Sequence, residues 1–350
     1  MSLLNELRIS IKSVIIGLVG ALIGIFINLP LPWLLGSLIA NLLATIFGIK
    51  TQFSKKIFSP VLLFIGIILA ASFNITLLYK INLWIYSSIG MIICTIIGGI
   101  VTAIYFNKVC KYNKLDSIFA GLPGAFVPVS TAYLSLTNDK GSINKVIIPQ
   151  ATRVMFIVMF VPFFFVYEKG FEQVVSKQYF PSYDLIYFSQ IALLLFSSAI
   201  LNFLLKKIKI PSAPILAGMI AAGIFYTFEI VEARFSSNII NFAFLLLGSS
   251  LGNRMSGLKV NEIISYSIHG VVISIILILL AMLFAYFLDY FFELDFLATF
   301  LSFAPGGIHE MIVISIAYNI DPLFVSYHHF LRLFIIIFSI PILIKFLDKN

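Results

Sequence analysis

The chain has 350 residues, 61% of them hydrophobic and only 11% charged, with a mean hydropathy of +1.07. A soluble domain carries about 25% Asp, Glu, Lys and Arg, so most of this surface must be solvated by lipid. Soluble enzymes, free nucleic-acid binders and disulfide scaffolds are excluded. The net charge of +8 sits in short loops between apolar runs, where membrane topology explains it. Cys94 and Cys110 form no metal or redox motif and read as packing residues.

A bilayer crossing needs about 17 to 25 apolar residues. The first candidate, 13–29, follows Arg8 and Lys12 and ends in Leu29-Pro30-Leu31-Pro32. No small-residue cleavage site follows, so an uncleaved span is expected. Further crossings are expected at 31–49, 57–74 and 83–106. The apolar segment 115–136 is interrupted by Gly121-Leu122-Pro123-Gly124-Ala125, and 145–167 closes the first half. Residues 169–186 read as an external connecting loop. Crossings then follow at 187–205, 212–228, 239–253 and 264–289. Segment 296–317 carries Ala304-Pro305-Gly306-Gly307, and 324–346 is the last span. None of these runs has the period-2 polar alternation of a pore wall, so the fold class is all-α and polytopic.

A shift of 182 residues superimposes the punctuation of the two halves. Pro32 and Gly36 meet Pro214 and Gly218, Gly66 meets Gly248, and Pro123-Gly124 meets Pro305-Gly306. After a loop of different length, Arg153 and Pro162 meet Arg332 and Pro341. The chain is a duplication, with repeats at 1–168 and 187–350. If every apolar segment crossed, Lys206, Lys207, Lys209, Arg254 and Lys259 would lie outside, against the positive-inside bias. If 115–136 and 296–317 instead enter and leave on one side, the basic loops gather inside. Each half then has an odd number of crossings, about five, plus one re-entrant segment. The repeats are therefore expected to be inverted, in the cell membrane, with N- and C-termini cytoplasmic.

Inverted repeats with interrupted helices at matching positions are an architecture of secondary transporters. Proline suits the first turn of a helix and glycine lets the chain bend ahead of it. Each Pro-Gly motif is thus expected to open a half-helix whose free N–H groups attract an anion or polar substrate. The alternative is a pair of kinked helices packed through glycine, with no ligand.

Leu-Pro-Trp-Leu-Leu-Gly near the start, Gly-Leu-Pro-Gly, and Ala-Pro-Gly-Gly-Ile-His-Glu-Met with the later His-His-Phe-Leu-Arg resemble the AbrB-type membrane proteins. That family has an internal duplication, and its members are often labelled ammonia monooxygenase or regulator of gene expression. The resemblance covers essentially the whole chain and implies a fold related to inverted-repeat antiporters and anion transporters. Family members tend to carry Pro-Gly-Gly-x-x-Glu-Met in both halves. Here the first copy has Pro128 at the acidic position, leaving only Glu310.

Ionisable groups within spans are costly and face a cavity or a partner. Arg153 and Arg332, equally deep in matching spans, read either as cationic clamps for an anionic substrate or as caps on broken helices in their own halves. Gln150, one turn before Arg153, is a candidate for substrate hydrogen bonding. The substrate-binding set expected is Pro123, Gly124, Gln150, Arg153, Pro305, Gly306, Gly307 and Arg332. His309 and Glu310 open the helix after the second break. Glu310 is either a residue favoured by the helix dipole or, with His309, a site of proton or cation coupling. His328 and His329 read as interfacial or packing residues.

A monooxygenase would need a metal centre, yet the four histidines have no His-x-x-x-His spacing. No catalytic residue, metal or cofactor is expected. The polar stretches are too short for a nucleic-acid-binding element, and no Walker motif appears. The expected function is an ion-coupled secondary transporter of a small anionic or polar metabolite. The alternative is a membrane sensor that affects gene expression indirectly. The expected partners are the lipid bilayer, a small-molecule or ion substrate and further copies of the chain, with no nucleic acid.

Overall fold

The computed structural model describes residues 3–49, 51–52, 55–71, 73, 84–124, 126–136, 142–169, 184–208, 210 and 212–347. The heart of the connecting loop expected at 169–186, residues 170–183, lies outside these. The described regular structure is entirely helical. The first half forms α1 (Leu3–Phe26), α2 (Pro32–Ile46), α3 (Lys55–Ala70), α4 (Trp84–Lys108), α5 (Lys114–Gly121), α6 (Phe126–Leu136) and α7 (Asn144–Lys169). The second half forms α8 (Leu185–Lys207), α9 (Ala213–Thr227), α10 (Ser237–Gly252), α11 (Val260–Phe292), α12 (Phe296–Phe303), α13 (Ile308–Ala317) and α14 (Pro322–Leu347). Helices α3 and α10, and again α5 and α12, superimpose end to end at a shift of 182 residues, so the duplication is structural.

Six described helices are long and apolar enough to cross a membrane: α1, α4, α7, α8, α11 and α14. Exposed phenylalanines such as Phe196 and Phe203 on α8 suit a helix surrounded by lipid. The crossings expected at 31–49, 57–74, 212–228 and 239–253 form the shorter helices α2, α3, α9 and α10, of 15 or 16 residues. At 1.5 Å per residue these reach roughly 23 Å, short of a hydrocarbon core of about 30 Å. Left-handed residues, Leu31 (φ 48°) before α2 and Ser212 (φ 54°) before α9, fix where two of them start, with a proline in each first turn.

The chain divides into two compact units, and each takes helices from both sequence halves. The first comprises Met1–Ile81, Pro162–Gly257 and Ile312–Leu323. In it α2 packs on α10, and α9 packs on α3. Both crossings depend on missing side chains: a Cβ on Gly218 would overlap the Leu63 carbonyl, and one on Gly248 the Leu34 carbonyl. Gly248 lies against Leu34 and Ser37, and Gly252 against Leu38 and Asn41, so α2 and α10 run parallel. The repeat mates α3 and α10 run the other way. The Phe64 ring of α3 meets Phe235 just before α10, with centroids 4.1 Å apart, whereas Thr51 before α3 meets Ser256 just after α10.

The second unit comprises Asn82–Val161, Leu258–Met311 and Phe324–Asn350. Its mates α4 and α11 pair antiparallel along their length. Tyr86 stacks on Phe292, Gly90 abuts Leu288, Gly98 abuts Leu277, and Tyr105 hydrogen-bonds His269. Equivalent helices opposed in direction, in each unit separately, define an inverted repeat. The apolar core of this unit gathers Phe106, Phe119, Val129, Tyr133 and Val146 with Ile273, Leu277 and Ile336. It holds α5 and α6 against α4, α7, α11 and α14.

Candidate functional site

The two broken helices lie in the second unit and end alike. Helix α5 starts on the Asn113 side chain, which accepts from the Asp116 N–H, and α12 starts on Asp295, which accepts from the Ala298 N–H. Each runs for eight residues, and its C-cap is the residue before a proline. Proline disfavours the helical conformation in the residue preceding it, and Leu122 (φ −57°, ψ 121°) and Ala304 (φ −55°, ψ 129°) are extended accordingly. This corrects the expected role of the motif. Pro123 and Pro305 do not sit in the first turn of the outgoing half-helix; they terminate the incoming one. Helices α6 and α13 begin only at Phe126 and Ile308.

A helix stopped inside the protein leaves carbonyls without partners, and the last helix of each repeat supplies donors at matching heights. Gln150 Nε2 donates to the Phe119 carbonyl at 2.6 Å, and Arg153 donates to Leu122 at 3.1 Å. In the mate, His329 Nε2 donates to Leu301 at 3.2 Å and Arg332 donates to Ala304 at 2.8 Å. Phe119 and Leu301, like Leu122 and Ala304, are related by the same 182-residue shift. Both arginines are buried, and each stands at the negative end of a helix dipole, which favours a cation. The capping alternative for Arg153 and Arg332 is therefore realised, each within its own half.

The second break is more elaborate. Arg332 also donates to the Gly306 carbonyl at 3.1 Å and approaches His329 Nδ1 at 2.6 Å. Leu301 offers only an acceptor, so His329 Nε2 carries the proton. Arginine offers only donors, so Nδ1 is bare and the imidazole neutral. His329, expected as an interfacial or packing residue, is fully buried and hydrogen-bonded to Arg332. In the sequence His329 aligns with Gln150, each three residues before its arginine. His328 is also buried, its Nδ1 2.7 Å from the Phe324 carbonyl and its Nε2 2.9 Å from Ser87 Oγ.

Arg332 brings the two breaks together. Gly124 of the first break has φ +116°, and a Cβ there would stand 3.4 Å from Arg332 Nε. Arg153 Nε and Gln150 Oε1 have no hydrogen-bond partner among the described residues. Glu310 is buried as the third residue of α13, and a Cβ on Gly307 would overlap its carboxylate. The second glycine of Pro-Gly-Gly is thus the notch into which the acid folds back, the place where a carboxylate complements a helix N-terminus. His309 is only partly buried. The result is a buried, cationic locus at two opposed breaks, with one carboxylate contributed by the second half alone. Among the described residues no three His, Cys, Asp or Glu side chains are grouped to hold a metal ion.

Comparison with curated proteins yields no match. Residues 33–348 match the family described as "Transition state regulatory protein AbrB". That stretch includes both breaks, both arginines and Glu310, and the chain is accordingly a member of the AbrB family.

Proposed function

We propose that this membrane protein is an ion-coupled secondary transporter of a small anionic or polar metabolite. The observation that carries the reading is the meeting of two oppositely directed helix breaks at buried Arg332, which caps one and abuts Gly124 of the other. A substrate carboxylate or phosphate would find unused guanidinium donors and flexible glycine backbone there. Arg153 and Arg332 would then serve both as helix caps and as substrate contacts, with Gln150 beside them. Glu310 and His309 are the groups to which we assign ion coupling. The same reading puts the chain in the cell membrane with cytoplasmic N- and C-termini.

The family description speaks of a regulatory protein and favours a second reading, a membrane sensor acting on gene expression indirectly through the ligand it binds. Ligand binding is common to both. Purified protein screened against anionic and polar metabolites should melt at higher temperature with at least one compound. Arg153→Gln and Arg332→Gln should each weaken that effect at least tenfold in ligand concentration. Wild-type responses in both variants would end the clamp assignment. Uptake into proteoliposomes, present or absent, separates transporter from sensor.

A further inference from the structure

A second polar centre lies in the first unit, far in sequence from the helix breaks. Helices α1, α2 and α10 bury Ser13, Ser37, Asn41 and Ser249 at 0% exposure. Thr45, which donates to the Asn41 carbonyl, and Thr51 are also buried, as is Asn253, next in the chain to Gly252, which packs on Asn41. The Asn41 amide nitrogen donates to the Ser13 carbonyl at 3.1 Å and the Ser37 carbonyl at 3.0 Å, which fixes the orientation of the side chain. Asn41 Oδ1 is thereby turned away from those carbonyls, and it has no partner among the described residues. The same holds for Ser249 Oγ and for both polar atoms of the Asn253 side chain. Ser249 Oγ occupies the notch left by Gly17, and Asn41 Nδ2 would stand 3.2 Å from a Cβ built there.

The fold does not require these residues. At the mates of Ser13, Gly17, Ser37, Asn41, Ser249 and Asn253 the chain has Leu195, Ala199, Met219, Gly223, Ile67 and Ala71. That surrounding is an apolar core. The mate positions themselves are apolar or glycine, so Asn41, Ser249 and Asn253 have no polar counterparts there; α8 separately buries Ser198 Oγ and Asn202 Oδ1 without a partner among the described residues. The parallel helices α2 and α10 also end here, at Ile46 and Gly252, and the 3-10 turn Asn253–Met255 packs on α2. Two dipoles of the same sense turn their negative ends toward the cluster.

We infer that this cluster is a monovalent-cation site, with Asn41, Ser249, Asn253 and the adjoining helix-end carbonyls as ligands. Hard cations take oxygen ligands, and the residues named carry no charge, which suits a single positive charge better than a divalent ion. Two amide oxygens among the unmatched atoms disfavour an anion. The inference goes beyond the transporter reading and does not rest on it.

The test is a melting titration of the purified full-length protein with NaCl, LiCl or KCl, ionic strength being held constant with N-methylglucamine chloride. One metal cation should raise Tm by about 3 °C or more in a saturable manner. Ser249→Ala and Asn253→Ala remove groups that bond nothing among the described residues, so both variants should fold. Each should raise the half-saturating concentration at least tenfold, while Ser189→Ala, on an exposed face of α8, should not. Equal melting in all four salts, or a cation response unchanged in both variants, would overturn the site and leave a buried water as the occupant. Because no metabolite is used, that outcome would not touch the proposal made for the helix breaks.

Discussion

At the scale of single residues, the two arginines are held by geometry rather than by charge alone. Removing the Arg332 guanidinium strands the Ala304 and Gly306 carbonyls and the bare His329 nitrogen. Arg332→Gln should destabilise the protein by about 3 kcal/mol, read as a lowered Tm or denaturant midpoint. Gln150→Leu strands only the Phe119 carbonyl and should cost about 1–2 kcal/mol. An equal loss in the two variants would mean that Arg332 does not act as a multiple cap. Cys110, in the loop after α4, gives a pH-dependent check. Burial pushes its thiol up to about 11, and only the thiolate is nucleophilic. Alkylation in the native protein should be slow at neutral pH and rise about tenfold per pH unit until the pH approaches that value. A rate at neutral pH equal to that of a free thiol would contradict the packing around it.

At the scale of elements, stability turns on close helix crossings. Gly66 and Gly218 face each other's backbone, so a methyl group at either meets a carbonyl that cannot move aside. Gly218→Ala should cost about 2–3 kcal/mol, whereas Gly48→Ala, with open space around it, should be limited to the strain of its positive φ. Thermal unfolding of both variants decides. Much at this scale is legible in the sequence: Pro-Gly pairs mark chain breaks, and the repeat of Pro123-Gly124 at Pro305-Gly306 locates α5 and α12. What the prolines do is not legible there, because a proline is compatible with opening one helix and with closing another. Only the extended Leu122 and Ala304 decide between them. The partners of Arg153 and Arg332 are equally undecidable from spacing, since a buried guanidinium can satisfy a carbonyl or a carboxylate. The oxygen-lined cluster of Ser13, Asn41, Ser249 and Asn253 gives no signal at all. Its members come from distant elements, each an ordinary polar residue in an apolar run.

At the scale of the whole molecule, the inverted repeat organises everything else. Duplication explains why one shift aligns the helices, and antiparallel pairing of mates shows that the copies are inverted. A short bifunctional thiol reagent should join Gly90→Cys to Leu288→Cys in a background lacking Cys94 and Cys110. It should fail to join Gly90→Cys to Val272→Cys, the direct equivalent of Gly90, which a parallel repeat would align at the same height. On the transporter reading proposed above, opposed halves would supply two related conformations, one open to each side, exchanging at the breaks at Gly124 and Gly306. The most direct measurement is uptake by protein reconstituted in liposomes, using whichever metabolite stabilises the purified protein. Accumulation driven by an imposed ion gradient, lost in Arg332→Gln and in Glu310→Gln while both variants stay folded, is the predicted result. Tight binding of that metabolite with no movement across the bilayer under any gradient would contradict it.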